Sequence, residues 1–175
     1  MNRAVFLDRD GTIIEDKGYP DSAQDMTLRS RDGEALAKLF TAGFLLVVVT
    51  NQSGIGRGYF SQDVVIAQHQ RLALLANEHG VEFAGFVYCP HSPDAGCNCR
   101  KPSPRMLVDE AQRLDIDLAK SYMIGDKETD VRAGKSAGCK TIIIGHGGET
   151  AADVRVSDFP HAVEAVFQLE SGHLP

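Results

Sequence analysis

The sequence contains no tryptophan, no long run of apolar residues and no block of lysines or arginines. A helix that spans a membrane needs roughly 20 apolar residues in a row, so no membrane association is expected. The 24 acidic and 18 basic side chains give a net charge of -6, and without a basic patch no nucleic-acid partner is expected. No charged leader with a long apolar region opens the chain, so we predict a cytoplasmic protein without a signal peptide.

Repeats, low-complexity tracts and linkers are also missing from the 175 residues. Hydrophobic residues make up 43% of the chain and charged residues 24%, which is ordinary for a globular protein with a buried core. At this length, the composition predicts a single domain over residues 1–175, and we expect a monomer.

Short apolar runs alternate with amphipathic stretches along the chain, a pattern that indicates strands followed by helices. The predicted strands are residues 4–7, 44–49, 83–88, 122–124, 140–144 and 154–156. The predicted helices are residues 31–42, 62–79 with Ser61 as the N-cap, 103–114, 127–137 and 161–169. This alternation favours an α/β fold, a Rossmann-like three-layer sandwich in which helices cover both faces of a central parallel sheet.

Polar side chains gather where the predicted strands end. Asp8 and Asp10 follow the first strand, and residues 50–53 follow the second. Asp126 and Lys127 follow the fourth strand, while Arg100 and Lys101 lie between the third strand and a helix. The carboxyl ends of parallel strands meet at one edge of the sheet, where proteins of this class bind their ligands.

Three carboxylates, those of Asp8, Asp10 and Asp126, would repel one another at this edge without a cation between them. Mg²⁺ prefers a few carboxylates together with water and phosphate oxygens, so the set predicts a magnesium site. The carboxylate nearest a phosphorus atom can attack it, and the second aspartate can protonate the leaving oxygen. Lys101 and the hydroxyl of Thr50 would hold phosphate oxygens. Alone, each residue is a weak sign, because D-x-D is a common tripeptide.

Three of the four cysteines lie in one short loop with a histidine, in the pattern C-x-H-x5-C-x-C. Three thiolates and one imidazole complete a tetrahedral shell around zinc, with no position open to substrate, so this zinc would be structural. It would fix the loop that leads directly into Arg100 and Lys101. Cys139 lies far from the loop and is expected in the core. The predicted zinc ligands are Cys89, His91, Cys97 and Cys99.

Three segments resemble the signature motifs of the haloacid dehalogenase (HAD) superfamily of phosphatases: FLDRDGT at 6–12, TNQ at 50–52 and GDK-x-x-D at 125–130. The resemblance implies that Asp8 is the nucleophile and a magnesium ligand. It implies that Asp10 is the general acid and base and offers its backbone carbonyl to the metal. It implies further that Asp126 completes the metal site, and that Thr50 and Lys101 hold the phosphoryl group. Many members carry a large cap domain, for which the spacings here leave no room.

Two branches of this superfamily share such a zinc loop, the D-glycero-D-manno-heptose 1,7-bisphosphate phosphatases and the histidinol-phosphate phosphatases. The run SGIGRGYF at 53–60 is similar to the heptose branch, although Gly56 stands where that branch typically has alanine. The resemblance then implies removal of the C7 phosphate in ADP- or GDP-heptose and lipopolysaccharide core synthesis. It implies substrate contacts at Asp16, Lys17, Gly18, Tyr19, Thr50, Asn51, Gln52, Ser53, Arg100, Lys101 and Lys127.

Alternatives to this interpretation stay open. Arg57 and Arg100 suit bidentate contacts to a second phosphate, but Arg57 is equally well a solvated loop arginine. A histidinol-phosphate phosphatase would keep the same catalytic residues. A receiver-like domain would hold an aspartyl-phosphate as a signal, and Asp10 argues against it, because a base beside the nucleophile hastens hydrolysis. A zinc-containing interaction module with an inactive site is the third alternative. The preferred sugar anomer leaves no mark in the sequence.

Overall fold

A computed structural model describes residues 1–172 of the chain. Its strands are β1 (Ala4–Leu7), β2 (Leu45–Asn51), β3 (Gly85–Cys89), β4 (Tyr122–Gly125), β5 (Lys140–Ile144) and β6 (Val154–Val156). Its helices are α1 (Ser30–Thr41), α2 (Ser53–Gly56), α3 (Gln62–Asn77), α4 (Arg105–Leu114), α5 (Glu128–Ala137) and α6 (Phe159–Ser171).

The six strands form one sheet in the order β3-β2-β1-β4-β5-β6, and every neighbouring pair is parallel. In register, Ala4 of β1 pairs with Leu45 of β2, and Val5 pairs with Tyr122 of β4. The chain proceeds outward from β1 to β3 and then returns to the other side of β1 at β4. Ligands of such sheets bind beyond the carboxyl ends of the strands at this reversal of order. The predicted central parallel sheet is confirmed.

Successive strand residues point to opposite faces of the sheet and build two apolar cores. On one face, Val5 and Leu7 of β1 pack with side chains of α1, α3 and α6. On the other face, Ala4 and Phe6 pack with side chains of α4 and α5, and Cys139 is buried there as expected. Helices therefore cover both faces of the sheet, and the three-layer prediction is confirmed.

The predicted elements are present with small shifts at their ends. Helix α6 begins at Phe159 rather than at residue 161, because the side chain of Asp158 accepts a hydrogen bond from the N–H of His161 and caps the helix. Ser61 does precede α3, but its side chain makes no capping hydrogen bond within the described residues. Helix α2 was not predicted, because four residues are too short to show a periodicity.

No inserted cap domain follows β1 or β2 in the described part of the chain. The connection after β1 contains only a 3₁₀ turn at Ala23–Asp25 and α1, and the connection after β2 contains only α2 and α3. None of the helices within residues 1–172 is both long enough and apolar enough to cross a membrane. A single domain over residues 1–175 stays a prediction, and residues 173–175 lie outside the described part.

Candidate active site

A cleft of about 690 Å³ opens at the carboxyl ends of β1 and β2, beside the point where the strand order reverses. Pro93 and Cys97 of the cysteine-histidine loop contribute to its lining, as do Thr129 and Asp130 of α5. A cleft of this size takes a small molecule. The predicted site residues that line it are Asp8, Asp10, Asp16, Gly18, Tyr19, Thr50, Asn51, Gln52, Ser53, Arg100, Lys101 and Lys127.

Three carboxylates meet beside this cleft, and two of them, those of Asp8 and Asp130, belong to its lining. Asp8, Asp126 and Asp130 each place a carboxylate oxygen within 4.8 Å of the others. The Oδ1 atom of Asp126 is buried and has no hydrogen-bond partner among the described residues. Burial and the neighbouring charge of Asp8 raise the pKa of Asp126 to about 7. Negative charge is therefore unfavourable here without a further cation, and the oxygen ligands suit Mg²⁺.

Lys101 places one positive charge inside this carboxylate cluster. Its Nζ donates to Asp8 Oδ1 and to the carbonyl of Val49, both at 2.7 Å, and lies 2.6 Å from Asp130 Oδ1. Burial alone would lower the pKa of Lys101, but the charges of Asp8 and Asp130 raise it above its ordinary value. Burial also raises the pKa of Asp130, and the charge of Lys101 offsets only part of that rise. Lys101 is therefore a fixed ammonium group whose three protons all have acceptors.

The loop after β1 passes very close to the end of β4. Gly11 in this loop has a φ angle of +82°, and a Cβ atom added there would lie 2.5 Å from Asp126 Oδ2. Glycine meets both demands, because it has no Cβ and adopts positive φ without strain. The D-x-D segment and Asp126 can thus share one site.

The carboxylate of Asp10 lies outside the three-carboxylate cluster and has its own partners. Arg9 donates to both of its oxygens, from Nε to Oδ2 at 3.0 Å and from Nη2 to Oδ1 at 3.2 Å. Gln52 Nε2 donates to Asp10 Oδ2 and to Thr50 Oγ1, each at 2.9 Å. Because Gln52 uses the hydroxyl oxygen of Thr50 as an acceptor, the hydroxyl proton of Thr50 is available for a ligand oxygen.

Asn51 joins the end of β2 to the segment that carries Lys101. The N–H of Lys101 donates to Asn51 Oδ1 at 3.0 Å, and Asn51 Nδ2 donates to the carbonyl of Lys101 at 3.2 Å. Both polar atoms of the Asn51 amide are therefore engaged by one backbone residue. The amide fixes the position at which Lys101 enters the site.

The rim of the cleft is held by one ionic and one aromatic contact. Lys127 Nζ lies 3.4 Å from Asp16 Oδ2, and its own pKa is raised chiefly by Asp126 and Asp8, against the opposing effect of burial. The half-exposed ring of Tyr19 meets the ring of Tyr59 edge to face, with the centroids 4.9 Å apart. These contacts tie the loop after β1 to the N-terminus of α5 and to the segment after α2.

The cysteine-histidine loop brings its four candidate ligands together. Cys89 Sγ lies 3.5 Å from His91 Nδ1, 3.6 Å from Cys97 Sγ and 3.3 Å from Cys99 Sγ. A tetrahedron with Zn–S bonds of about 2.3 Å has edges of roughly 3.8 Å, whereas disulfide sulfurs lie only about 2.05 Å apart, so the spacing suits zinc and not a disulfide. Burial raises the pKa of Cys89 to about 12, so a cation is needed to hold it as a thiolate.

The chain matches known proteins over nearly its whole length. Residues 98–168 match the family model described as HAD-hydrolase-like. A Pasteurella multocida protein named D-glycero-beta-D-manno-heptose-1,7-bisphosphate 7-phosphatase is 37% identical, with 97% of this chain and 95% of the relative covered. The protein of the same name from Vibrio cholerae is 42% identical, with 90% of this chain and 94% of the relative covered.

The chain belongs to the haloacid dehalogenase superfamily of phosphatases. Among solved structures, the D,D-heptose 1,7-bisphosphate phosphatase from B. bronchiseptica, complexed with magnesium and phosphate, resembles this HAD phosphatase with a TM-score of 0.86. The two are 32% identical, and the match covers 95% of this chain and 99% of that one. The chain is accordingly a phosphoric monoester hydrolase.

Two predicted substrate contacts of this HAD phosphatase are not in the lining of the cleft as far as the described residues show. Lys17 Nζ donates instead to the backbone carbonyl of Asp25 at 3.2 Å. Arg57 is exposed at the C-terminal end of α2. The roles of both residues stay predictions, as do the roles assigned to the other site residues.

Two residues of the site had been given no role from the sequence. Asp130 lies in the first turn of α5, where its Oδ2 accepts from the N–H of Lys127 at 3.0 Å while Oδ1 faces Lys101. The signal was present, because an acidic residue three positions after the N-cap is the spacing of a capping box. Arg9 lies between the two aspartates of the D-x-D segment in the sequence, and its side chain is completely buried. Its position between two acidic residues was the signal by which it could have been identified as part of the site.

Proposed function

We propose that this HAD phosphatase removes the C7 phosphate of D-glycero-β-D-manno-heptose 1,7-bisphosphate, in a magnesium-dependent reaction of lipopolysaccharide precursor synthesis. The observation that carries the proposal is the match to relatives named for this activity, which extends over 97% and 90% of the chain. Their printed names specify the β anomer, so we expect the β anomer to be preferred here.

We assign the magnesium site to the carboxylates of Asp8 and Asp126 and to the backbone carbonyl of Asp10, with Asp130 close by. Two observations support a cation here: the crowding of three carboxylates and the buried Asp126 Oδ1 without a partner in the described part of the chain. Carboxylate and carbonyl oxygens are the donors that Mg²⁺ prefers. When bound, the ion supplies positive charge beside the phosphate oxygens.

In the first step, Asp8 is the nucleophile. One of its oxygens forms a bond to phosphorus while the bond from phosphorus to the C7 oxygen breaks. Asp10 donates its proton to that oxygen, which leaves as the alcohol. The resulting aspartyl-phosphate keeps the phosphoryl group at the base of the cleft.

Lys101 and Thr50 hold the phosphoryl oxygens during this step. Lys101 already donates to three oxygens, so a phosphate must take the place of one of them. We infer that Asp8 is the contact that is exchanged, because its oxygen loses negative charge as it bonds to phosphorus. The hydroxyl of Thr50 donates its available proton to another phosphoryl oxygen.

In the second step, water replaces Asp8 on phosphorus. Asp10, now a carboxylate, accepts a proton from the attacking water. The bond between phosphorus and the Asp8 oxygen breaks, inorganic phosphate leaves and the Asp8 carboxylate is restored. Asp10 regains its proton in the same step, so the cycle closes without any other proton donor.

The zinc site has a supporting role in this proposal. Zinc bound by the three cysteines and His91 would fix the loop that carries Arg100 into the lining of the cleft. Arg100 is then placed to contact the phosphate that is retained at C1, where a guanidinium binds two oxygens at once. Histidinol phosphate has no second phosphate, and the named relatives favour the heptose substrate.

Phosphorus NMR of the reaction with heptose 1,7-bisphosphate tests the proposal. The C7 signal should disappear in the presence of Mg²⁺ while the C1 signal persists. Faster turnover of histidinol phosphate, or loss of the C1 phosphate first, would overturn the proposal. Arg100→Met should raise KM for the bisphosphate more than for heptose 7-phosphate. Arg105→Met is the matched control, because Arg105 is exposed and pairs with Asp109 away from the cleft.

We propose further that the protein acts as a monomer in the cytoplasm. Sedimentation at working concentration tests the oligomeric state, and fractionation of cells that express the protein tests the location.

A further inference from the structure

Arg9 is completely buried and has a third partner besides the two oxygens of Asp10. Its Nη1 donates to Gln68 Oε1 at 2.9 Å. A buried guanidinium needs acceptors for its N–H groups, so these contacts decide where it lies. The position of the Asp10 carboxylate therefore depends on a side chain that does not line the cleft.

Gln68 lies on α3, and its buried amide has one orientation that satisfies its neighbours. Its oxygen faces the guanidinium of Arg9, while Nε2 donates to the carbonyl of Pro20 at 2.8 Å and lies 3.4 Å from the carbonyl of Ser22. If the amide were reversed, its NH₂ group would face the N–H group of Arg9, and its oxygen would face the carbonyl oxygen of Pro20. The hydrogen-bond chemistry alone thus fixes the assignment of its two ends.

The two carbonyls belong to the segment that we call the mouth loop, residues 16–22. Asp16 and Tyr19 of this loop line the cleft, and Pro20 follows Tyr19 directly. One buried amide therefore connects the mouth loop with the guanidinium that holds Asp10.

We propose that Gln68 is a positioning residue that couples the mouth loop to the orientation of Asp10 through Arg9. The proposal rests on the role of Asp10 as general acid in the proposed function. Without the Gln68 amide, Nη1 of Arg9 loses its buried acceptor and the guanidinium is no longer held from both sides. The mouth loop loses its anchor at Pro20 at the same time.

The leaving group of the substrate separates this role from a purely structural one. An alkoxide such as that of a sugar needs a proton from Asp10 in order to leave, whereas p-nitrophenolate leaves without one. A displaced Asp10 therefore slows phosphoryl transfer from the sugar phosphate to Asp8 more than transfer from p-nitrophenyl phosphate. Hydrolysis of the aspartyl-phosphate needs Asp10 as a base with either substrate, so the comparison is made on the first step alone, in single turnovers at saturating enzyme. A smaller folded fraction affects both single-turnover rates equally, so their ratio is independent of how much protein is folded.

The experiment compares Gln68→Met with Gln70→Met on the same helix, where Gln70 is exposed. We measure the single-turnover rate of phosphoryl transfer and the steady-state KM for the sugar phosphate and for p-nitrophenyl phosphate, with Mg²⁺ present. Gln68→Met should lower the ratio of the sugar-phosphate to the aryl-phosphate single-turnover rate by at least about tenfold, as general-acid effects of two to four orders of magnitude allow. It should also raise KM for the sugar phosphate, and Gln70→Met should leave both quantities at wild-type values.

An unchanged ratio of the two single-turnover rates in Gln68→Met would overturn the proposal, whether or not overall activity falls. If Gln68→Met gives no folded protein, Gln68→Glu carries the same prediction, because its carboxylate competes with Asp10 for Arg9 and cannot donate to Pro20. Failure of the proposed function is a different result. In that case wild-type protein does not cleave the heptose bisphosphate, and the ratio is measured with another primary alkyl phosphate that it does cleave.

Discussion

Replacing Lys101 with methionine removes the only cation that the structure places directly between Asp8 and Asp130 in the described part of the chain. Both carboxylates are buried and lie within hydrogen-bonding distance of Nζ, at 2.7 and 2.6 Å. At an effective dielectric constant of about 20, a charge pair at about 4 Å is worth roughly 4 kcal/mol, so each lost contact is substantial. Methionine fills the space of the lysine stem but provides neither a positive charge nor a hydrogen-bond donor to the two carboxylates.

Protonation sets an upper limit to the cost of this change. One of the two carboxylates can take up a proton, and for an ordinary aspartate with a pKa of about 3.9 this costs about 4 kcal/mol at pH 7. At pH 5 the same proton costs only about 1.5 kcal/mol. The variant should therefore lose about 4 kcal/mol of unfolding free energy at pH 7 and about 1.5 kcal/mol at pH 5, because the proton replaces the missing cation more easily as the pH falls.

Urea unfolding in magnesium-free buffer at the two pH values measures these losses. Lys120→Met is the matched control, because Lys120 is 70% exposed and pairs with Asp117 at 3.4 Å, where an ion pair is worth at most about 1 kcal/mol. Added Mg²⁺ should restore part of the stability of Lys101→Met, since it supplies positive charge to the same carboxylates. A loss in Lys101→Met no larger than that in Lys120→Met, or one that does not shrink at pH 5, would refute the reasoning.

Three further predictions concern the surroundings of the site. Burial and the charge of Arg9 lower the pKa of His69 to about 3. Between about pH 3 and about pH 6.5, the unfolded chain therefore binds a proton at His69 that the folded chain does not, so the unfolding free energy falls as the pH falls. Unfolding free energy should thus drop by about 2 kcal/mol from pH 7 to pH 5 through His69 alone, and His69→Leu should show a correspondingly smaller drop in urea titrations. Gly56→Ala places a Cβ atom 2.5 Å from the backbone nitrogen of Ser92. It should therefore cost about 1–3 kcal/mol of unfolding free energy and raise KM by shifting the cysteine-histidine loop, and an unchanged melting curve and KM would contradict this. Tyr59→Ala removes the ring that holds Tyr19, so KM should rise with little change in kcat, whereas Tyr59→Phe, which keeps the ring, should behave as wild type.

The sheet was predictable from the sequence because buried parallel strands are short, continuous apolar runs. Residues 4–7 and 44–49 are two such runs, and each stops at a polar group. Once the strands are parallel, their carboxyl ends must meet, so the proximity of Asp8, Thr50 and Asp126 followed from topology. The proximity of the four candidate zinc ligands was predictable for a different reason, since all four lie within one short loop.

The polar contacts behind the site were not predictable. Gln68 looks like any polar residue of an amphipathic helix, and only the packing of α3 against the mouth loop brings it to Arg9, 59 positions away. Asn51 lines the cleft as expected, yet both atoms of its amide are engaged by the backbone of Lys101. Such long-range hydrogen bonds leave no periodic signal in the sequence. The exposure of Arg57 depends in the same way on the turn at α2, which was too short to predict.

Trapping the phosphorylated enzyme tests the central claim, that Asp8 is the nucleophile, most directly. Asp10→Asn should still react with p-nitrophenyl phosphate, which needs no acid, but should hydrolyse the intermediate slowly, because no base activates water. Acid quenching followed by peptide mass spectrometry should then find one phosphoryl group on the peptide that contains Asp8, and none when Asp8→Asn is combined with the same change. A phosphoryl group on any other residue, or near-normal turnover by Asp8→Asn, would contradict the claim.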